Sequence, residues 1–261
     1  MTDIGGRVVV VTGGSGFIGK ALIKKLLSQS ATVYNLDLVD AAENISLPNS
    51  DKFYTFKKMN FLDTSTVENY VKQILDGIPV LSGLVCLAAY NQTLKLENIS
   101  QEQIAFTNLP TIEWESTFKV NVTSTMLINR AVAEKMKTQG LGSIVNIASL
   151  FGVLAPDQRK YGDSGLNSNA AYGASKAAVI QMSKYLAAYY ANTGIRVNSI
   201  SPGGIERNQP SDFIERYANS TTIGRMGTPE DIVGAISYLL SDDSKWTTGI
   251  NLVIDGGYSA W

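Results

Sequence analysis

An apolar run that leads directly into a glycine-rich turn constrains the fold of this chain more than any other stretch. Residues 7–12, Arg-Val-Val-Val-Val-Thr, have the composition of a strand that is buried on both faces, as in a parallel sheet. Gly14, Gly16 and Gly19 follow with the spacing G-x-G-x-x-G, and apolar residues then recur at helical intervals. In dinucleotide-binding folds this arrangement lets the backbone approach a pyrophosphate at the helix N-terminus. We predict that function here, and a plain tight turn is the alternative.

The second predicted strand, residues 32–37, ends in an acidic residue at the position that such folds use to bind the adenosine ribose. Asp37 lies 18 residues after Gly19, near the expected spacing of about 20. Its carboxylate can accept hydrogen bonds from both ribose hydroxyls, whereas the 2′-phosphate of NADP would meet a like charge. No Arg or Lys occurs in residues 35–40 to bind that phosphate. We therefore predict NAD as the cofactor; a solvated aspartate at a strand end is the alternative.

Segments typical of strands and helices alternate through the rest of the chain. Five more strands are predicted at residues 53–59, 81–89, 142–149, 194–201 and 251–257. Helices are predicted at residues 64–77, 111–139, 170–192 and 212–218, and from Pro229 onward. This alternation indicates the α/β class, with a doubly wound parallel seven-stranded sheet of the Rossmann type and helices on both faces. No stretch has the composition of a linker, so we predict a single domain over residues 1–261.

A tyrosine and a lysine stand four residues apart near the start of the helix predicted from residue 170. Tyr172 and Lys176 are separated by just over one turn, so their side chains leave the same face. A phenol with a pKa near 10 acts as a base at neutral pH only if its anion is stabilised by roughly 3 to 4 kcal/mol. An ammonium about 4 Å away, at an effective dielectric constant of about 20, supplies an attraction of that order. Since the chain contains no histidine, this pair is the natural candidate for proton transfer. The alternative is a half-buried tyrosine beside a solvated lysine.

Two further polar residues and one irregular segment are candidates for the same site. Ser149 ends the fifth strand, at the carboxyl edge of the sheet where ligands bind in open α/β folds, although serine is common at strand ends. Asn121 lies inside a predicted helix, where an exposed polar position is the alternative interpretation. Residues 156–168 are rich in glycine and charge and contain Arg159 and Lys160. We predict that this segment recognises a polar or anionic sugar; a solvated loop is the alternative.

Composition excludes several classes of partner. The 22 basic residues balance 23 acidic ones and form no basic run, which argues against nucleic-acid binding and leaves a small molecule as the expected partner. Cys86 is the single cysteine, so a disulfide framework and a structural zinc site are excluded, and no metal is predicted. The sequence shows neither a signal peptide nor an apolar run of membrane-spanning length. We therefore expect a cytoplasmic protein with no membrane partner.

Several motifs occur together and in one order. They are Thr12-Gly13 with the glycine turn, Asn121 in Lys-Val-Asn-Val, Ser149 after Ile-Val-Asn-Ile-Ala, Tyr172-x-x-x-Lys176, Ser201-Pro-Gly, Arg225-Met-Gly-Thr-Pro-Glu and Ile254-Asp-Gly-Gly257. With them the chain resembles the single-domain branch of the short-chain dehydrogenase/reductase family over nearly its whole length. The glycine spacing from Gly13 and the sequence Leu87-Ala88-Ala89 are instead similar to the extended, nucleotide-sugar-processing branch. Residues between Ser149 and Tyr172, with Gln209, Phe213 and Tyr217, look similar to oxidoreductases found with bacterial surface-sugar and flagellin-modification genes.

The resemblance assigns roles to individual residues. Tyr172 would be the acid/base, Lys176 would lower its pKa and hold the nicotinamide ribose, Ser149 would bind the substrate oxygen, and Asn121 would order a water molecule. Seventeen residues would contact the cofactor: Gly13, Ser15, Gly16, Phe17, Ile18, Gly19, Asp37, Leu38, Asn60, Phe61, Ala88, Ala89, Tyr172, Lys176, Pro202, Gly203 and Ile205. The resemblance also implies a homo-oligomer, commonly a tetramer built on two long helices.

The sequence therefore predicts an NAD-dependent oxidoreductase that interconverts a secondary alcohol and a ketone. A sugar or sugar derivative is the leading substrate class, and Tyr172 moves the proton while hydride passes to or from nicotinamide. Two alternatives remain open at this stage. One is a catalytically silent regulatory or scaffold protein that keeps the dinucleotide-binding fold, and the other is a reductase of acyl-thioester or steroid ketones.

Overall fold

The chain folds around a seven-stranded parallel sheet with the strand order β3-β2-β1-β4-β5-β6-β7. The computed structural model describes residues 3–43, 46, 48–91, 106–164 and 168–261. The strands are β1 (Val8–Thr12), β2 (Thr32–Asp37), β3 (Tyr54–Lys58), β4 (Gly83–Cys86), β5 (Gly142–Ile147), β6 (Ile195–Pro202) and β7 (Asn251–Ile254). All six neighbouring pairs are parallel, so the predicted doubly wound sheet is confirmed.

Helices cover both faces of this sheet. In chain order they are α1 (Phe17–Ser28), α2 (Ser50–Phe53), α3 (Thr64–Asp76), α4 (Thr111–Phe118), α5 (Thr125–Gln139), α6 (Ala170–Tyr189), α7 (Ser211–Ala218) and α8 (Pro229–Leu240). Helices α3, α5 and α6 pack on one face, and α1 and α8 pack on the other. Because connections in parallel sheets cross over a face, two helical layers follow from the strand order.

Each layer is held to the sheet by apolar side chains at helical spacing. On one face, Leu22 and Leu26 of α1 meet Ile236 and Leu240 of α8 against the buried valines of β1. On the other face the apolar sides of α3 and α5 pack on the opposite side of the same strands. Burying each such side chain contributes about 1.5 to 3 kcal/mol before the cost of chain entropy. The central strands are therefore apolar on both faces, as their composition predicts.

The direction of strand addition reverses between β1 and β4. From β1 the chain adds β2 and β3 on one side, and from β4 it adds strands on the other side. Thr12, the last residue of β1, lies level with Leu36 in β2 and Cys86 in β4, so the three strands end together. Such a reversal leaves a crevice outside the carboxyl ends of the strands, where α/β folds bind their ligands.

The helix predicted over residues 111–139 is not continuous, and that prediction is corrected. Residues Lys119–Ser124 form a π-helical segment between α4 and α5. Asn121 lies in this segment and is 1% exposed, because its side chain turns inward to polar partners described below. The interpretation of Asn121 as an exposed polar residue is therefore wrong. Single π-helical turns of this kind are frequent at functional sites.

Two glycines with positive φ meet where α5 ends and β6 begins. Gly140 has a φ of 70° and forms the C-cap of α5, and Gly194 has a φ of 79° just before β6. A Cβ atom on Gly194 would lie 2.0 Å from the carbonyl oxygen of Gly140, whereas a Cβ atom on Gly140 would meet nothing within 4 Å. Both positions favour glycine by conformation, but only Gly194 is also closely packed.

We predict that Gly194→Ala lowers the free energy of unfolding by more than Gly140→Ala. Both variants place alanine in the left-handed region, at a cost of about 1 to 2 kcal/mol. Only Gly194→Ala adds a clash with backbone, which costs roughly a further 1 to 3 kcal/mol. Urea titrations at one protein concentration measure the difference, and equal losses for the two variants would contradict the packing argument.

Candidate active site

A cavity of about 700 Å³ opens at the crevice between β1 and β4. Its volume falls within the range of small-molecule and cofactor sites. All seventeen residues predicted to contact the cofactor line it, and so do Ser149, Tyr172 and Lys176. Asn121 does not line it, and Gly14 also lies outside the lining. The structure thus brings the predicted residues together along one elongated cavity.

The glycine turn closes one end of the cavity through contacts that leave no room for side chains. A Cβ atom on Gly13 would lie 2.5 Å from the backbone nitrogen of Ala88, and one on Gly19 would lie 2.4 Å from the carbonyl oxygen of Gly13. Gly16, the N-cap of α1, has no side chain to cap the helix, and the first turn of α1 contains no acidic residue. The first N–H groups of α1 are therefore directed at the cavity without a competing anion. This cradle fits the diphosphate of a dinucleotide.

Gly14 serves a different purpose from the other glycines of the motif. A Cβ atom there would lie 2.4 Å from the side-chain oxygen of Asn35, which is fully buried in β2. The Asn35 amide donates hydrogen bonds to the Ser15 hydroxyl and to the Tyr54 hydroxyl, each at 3.0 Å. Asn35 thus holds the glycine turn in place through its hydrogen bond to Ser15. Sequence reasoning missed it, although a buried amide inside an apolar strand is the kind of signal that would identify it.

Asp37 lies at the same end of the cavity and is fixed by backbone donors. One carboxylate oxygen accepts the Ser15 N–H at 2.9 Å, and the other accepts the Leu38 N–H at 2.7 Å. Each oxygen keeps further acceptor capacity for a ribose hydroxyl. Leu38 and Val39, the lining residues that follow Asp37, are apolar, so this stretch of the lining offers no lysine or arginine to a 2′-phosphate. The geometry suits a ribose diol and opposes a 2′-phosphate.

The other end of the cavity contains the tyrosine and lysine. Asn169 caps α6 by accepting the Ala171 N–H at 2.8 Å, which places Tyr172 in the first turn and Lys176 one turn later. The Lys176 ammonium donates to the carbonyl oxygen of Ile147 at 2.7 Å and lies 5.6 Å from the centre of the Tyr172 ring. Burial lowers the pKa of Lys176 to about 8.

The surroundings of Tyr172 shift its pKa. Burial raises it above its ordinary value, and a hydrogen bond with Ser149 opposes that rise. The lowering of the Tyr172 pKa by Lys176 stays a prediction: the ammonium lies 5.6 Å from the centre of the Tyr172 ring and donates to the carbonyl oxygen of Ile147. At neutral pH the phenol is consequently a proton donor.

Asn121 lies behind the cavity wall and holds two elements together. Its side-chain oxygen accepts the Tyr90 N–H at 2.7 Å, and its amide donates to the Tyr90 carbonyl at 3.1 Å and to the Ser175 hydroxyl at 2.9 Å. These contacts join the chain after β4 to the first turns of α6. The role of Asn121 in ordering a water molecule stays a prediction, and its side chain holds Tyr90 and Ser175 in place.

An aromatic wall closes the cavity beyond Tyr172. Tyr161 and Phe213 have ring centres 5.4 Å apart, and those of Phe213 and Tyr217 are 6.1 Å apart. The Tyr217 hydroxyl accepts a hydrogen bond from the Gly204 N–H, which ties α7 to the end of β6. Arg216 also lines this region, donating to Asp212 at 2.7 Å. Aromatic faces with a few polar groups suit a ring-shaped polar molecule.

The predicted substrate contacts of Arg159 and Lys160 are corrected, because neither residue lines the cavity. Arg159 is 91% exposed and pairs with Asp157 at 2.8 Å. Lys160 turns the other way: its ammonium donates to the Ser220 hydroxyl and lies 4.9 Å from the centre of the Tyr258 ring. Its carbonyl oxygen also accepts the Arg216 Nε–H at 2.8 Å. Lys160 thus fastens the segment after β5 to α7, behind the aromatic wall.

We predict that Lys160→Met raises the KM for the alcohol substrate about 5- to 10-fold and leaves the Kd for NAD unchanged. The variant keeps most of the aliphatic stem but loses the hydrogen bond that positions α7, worth about 1 to 1.5 kcal/mol. Arg159→Ala is the matched control, since it removes a neighbouring charge that faces solvent. Steady-state kinetics and calorimetry provide the measurements. An equal KM effect in both variants would count against a positioning role.

Comparison with known proteins identifies the family. Residues 15–259 match the family model described as Enoyl-(Acyl carrier protein) reductase. A solved structure of a short chain dehydrogenase from Leptospira borgpetersenii with bound NAD+ is 33% identical, with a TM-score of 0.86, and the match covers 98% of this chain and 94% of that one. The chain belongs to the short-chain dehydrogenase/reductase family.

Curated members of this short-chain dehydrogenase/reductase family match over nearly the whole chain. The 2,5-dichloro-2,5-cyclohexadiene-1,4-diol dehydrogenase LinX of Sphingobium indicum is 30% identical, with 98% of this chain and 97% of LinX covered. Post-translational flagellin modification protein A of Campylobacter coli is 29% identical, covering 97% and 98%. The family predicted from the motifs is confirmed. Within the described residues, no helix has the length and apolar character needed to cross a membrane, and no acidic or cysteine cluster could hold a metal ion.

Proposed function

We propose that this short-chain dehydrogenase is an NAD-dependent oxidoreductase that interconverts a secondary alcohol and a ketone. The observation that carries the proposal is one continuous cavity with two different ends. The glycine turn and Asp37 form one end, and Ser149, Tyr172 and Lys176 form the other. The relatives support the same reaction class and cofactor, since LinX is named as a dehydrogenase of a diol and the Leptospira structure holds NAD+.

The protein's own groups handle the substrate oxygen and its proton. When bound, the nicotinamide of NAD exchanges a hydride with the substrate carbon. The Ser149 hydroxyl donates a hydrogen bond to the substrate oxygen, and Tyr172 moves the proton to or from that oxygen. Because burial raises the phenol pKa, Tyr172 is protonated at neutral pH and ready to protonate a ketone during reduction. Alcohol oxidation needs the phenolate and is favoured as pH rises.

Lys176 has an electrostatic role in this proposal. Its amine donates to the carbonyl oxygen of Ile147 and lies 5.6 Å from the centre of the Tyr172 ring. The remaining N–H donors of Lys176 would hold the nicotinamide ribose when NAD is bound. With a pKa of about 8, the amine is mostly protonated at neutral pH. A positive charge in a low-dielectric site stabilises a developing phenolate more than it would in water. This interaction offsets part of the cost of ionising a buried phenol.

The leading substrate class is a sugar or a sugar derivative. The aromatic wall of Tyr161, Phe213 and Tyr217 presents ring faces, while Gln209 and Arg216 supply polar groups at the same end. This combination suits a polar ring that carries a secondary alcohol. The similarity to LinX and to a flagellin modification protein supports a cyclic, hydroxylated substrate. The intact Ser149, Tyr172 and Lys176 arrangement argues against a catalytically silent scaffold.

The assembly and the compartment form part of the same proposal. A homotetramer is supported by exposed apolar side chains on α4 and α6, where Ile112, Tyr185 and Tyr189 face solvent in the single chain. Large exposed apolar patches often mark contacts between proteins. A cytoplasmic location is supported by the buried free thiol of Cys86, and a single domain is supported by the one sheet that all seven strands share.

We predict that the wild-type protein reduces NAD+ with a cyclic polyol or sugar alcohol and that Tyr172→Phe does not. The variant loses only the phenolic hydroxyl, so its Kd for NAD should stay within about twofold while kcat falls by at least about 100-fold. Absorbance at 340 nm during a substrate screen measures turnover, and calorimetry measures binding.

The screen also includes acyl-thioester and steroid ketones with NADH, because a reductase of such ketones is the alternative substrate class. Turnover confined to those ketones would favour the alternative substrate class. NAD binding without turnover of any substrate would favour the silent scaffold. Near-normal turnover by Tyr172→Phe would contradict the assignment of the acid/base.

We predict that wild-type kcat/KM with NAD exceeds that with NADP by roughly 100-fold or more, because Asp37 repels the 2′-phosphate and binds the ribose hydroxyls. Asp37→Ser should reduce that ratio by at least about 10-fold. Asp76→Ser is the matched control, since it makes the same change on the exposed end of α3, outside the cavity lining. Steady-state kinetics with NAD and with NADP measure this ratio. An unchanged ratio in Asp37→Ser would show that Asp37 does not bind the adenosine ribose.

A further inference from the structure

A segment that follows β6 brings an arginine across the cavity to the glycine turn. The guanidinium carbon of Arg207 lies 5.4 Å from the centre of the Phe17 ring. Phe17 is the first residue of α1, and both residues line the cavity. The two residues are distant in sequence, so this contact joins the segment after β6 to the cofactor end of the cavity. A guanidinium placed over an aromatic face is attracted by the negative potential of the ring.

The backbone of this segment is well fixed, although the Arg207 side chain is exposed. The Glu206 N–H donates to the Gly227 carbonyl at 2.9 Å, and the Gln209 amide donates to the Ile205 carbonyl at 2.9 Å. The side-chain oxygen of Gln209 also accepts the Arg207 N–H. The Cα of Arg207 is therefore held in one place by these contacts, while its long side chain can redirect its guanidinium by a change of rotamer.

The charge of Arg207 is not compensated in the way that other cations of the cavity are. Arg216 pairs with Asp212 at 2.7 Å, and Lys176 donates to a carbonyl oxygen. Among the residues that the structure describes, no carboxylate forms an ion pair with Arg207. The first turn of α1 beside it has no acidic residue and adds its own positive potential. The two positive groups share a space that the close-packed glycines keep free of side chains.

We propose that Arg207 is a cofactor-binding residue whose guanidinium closes over the diphosphate of the dinucleotide at the glycine turn. The diphosphate of a dinucleotide carries two negative charges and several oxygen acceptors, and a planar guanidinium can bind two such oxygens with paired hydrogen bonds. The Phe17 ring then serves as a platform that keeps the guanidinium near this position. Because Ile205 and Gln209 on the same segment line the cavity, cofactor binding also fixes one side of the substrate end.

This inference rests on the proposed use of NAD. Ligands with and without a diphosphate distinguish a failure of the Arg207 contact from a failure of NAD binding itself. NAD+, ADP-ribose and adenosine are each measured as competitors of NADH fluorescence, on the wild-type protein and on Arg207→Ala, Arg207→Lys and Arg159→Ala. Arg207→Ala should bind NAD+ and ADP-ribose about 10- to 100-fold more weakly, with adenosine affinity unchanged. Arg207→Lys keeps the positive charge but loses the planar pair of N–H donors, so its affinity for NAD+ and ADP-ribose should lie between those of the wild type and Arg207→Ala. Arg159→Ala removes a positive charge outside the cavity and is the matched control. Its affinity for all three ligands should equal that of the wild type.

Each other outcome overturns a defined statement. If the wild-type protein fails to bind NAD+ or NADH, the proposed function fails. If it binds them and Arg207→Ala binds NAD+ equally well, only the role of Arg207 fails. If Arg207→Ala changes the substrate KM with an unchanged Kd for NAD+, Arg207 belongs to the substrate end. An equal loss for adenosine would show a general disturbance of the site and would likewise overturn the diphosphate contact.

Discussion

The close approach of Gly13 to Ala88 is the contact on which the rest of the site depends. A backbone turn can rest on the end of a neighbouring strand only where neither partner has a large side chain, and here any Cβ on Gly13 would overlap Ala88. Because of this approach, α1 begins close to the carboxyl ends of the strands, and the cavity lies beside its first residues. The positions of Asp37 and Phe17 follow from the same turn, since Ser15 and the first residue of α1 belong to it.

A small number of contacts also positions the residues at the catalytic end of the cavity. One capped helix start sets Tyr172 in its first turn, and one main-chain carbonyl receives the buried amine of Lys176. Burial then shifts the two pKa values in opposite directions, raising that of the phenol and lowering that of the amine. Both shifts favour neutral forms, because ionised groups lose hydration in the protein interior. The site therefore keeps a protonated phenol in a chain that contains no histidine.

The residues predicted to contact the cofactor all line the cavity, whereas Arg159 and Lys160, predicted to contact the substrate, do not, and the difference has a physical reason. Glycine spacing and a strand-end carboxylate are constraints on backbone geometry, so their positions follow directly from the order of residues. The orientation of a side chain in an irregular segment has no such constraint. Lys160 and Arg159 are neighbours with the same charge, yet one turns to Ser220 and the other to solvent. The π-helical turn at Asn121 escaped prediction too, because its partners Tyr90 and Ser175 are remote in sequence. Arg207 and Asn35 became evident only from contacts across the fold.

The hydrogen bond from Gly204 to the Tyr217 hydroxyl has a consequence for how such an enzyme diversifies. Through it, and through the hydrogen bond from Arg216 to Lys160, the part of the aromatic wall that lies on α7 is anchored to two distant parts of the chain. Exchanging α7 alone between family members would bring new side chains without their anchors, and a transplanted wall would lose its alignment with Tyr172. Substrate selectivity in this protein would therefore depend on several segments of the chain together, and not on α7 alone.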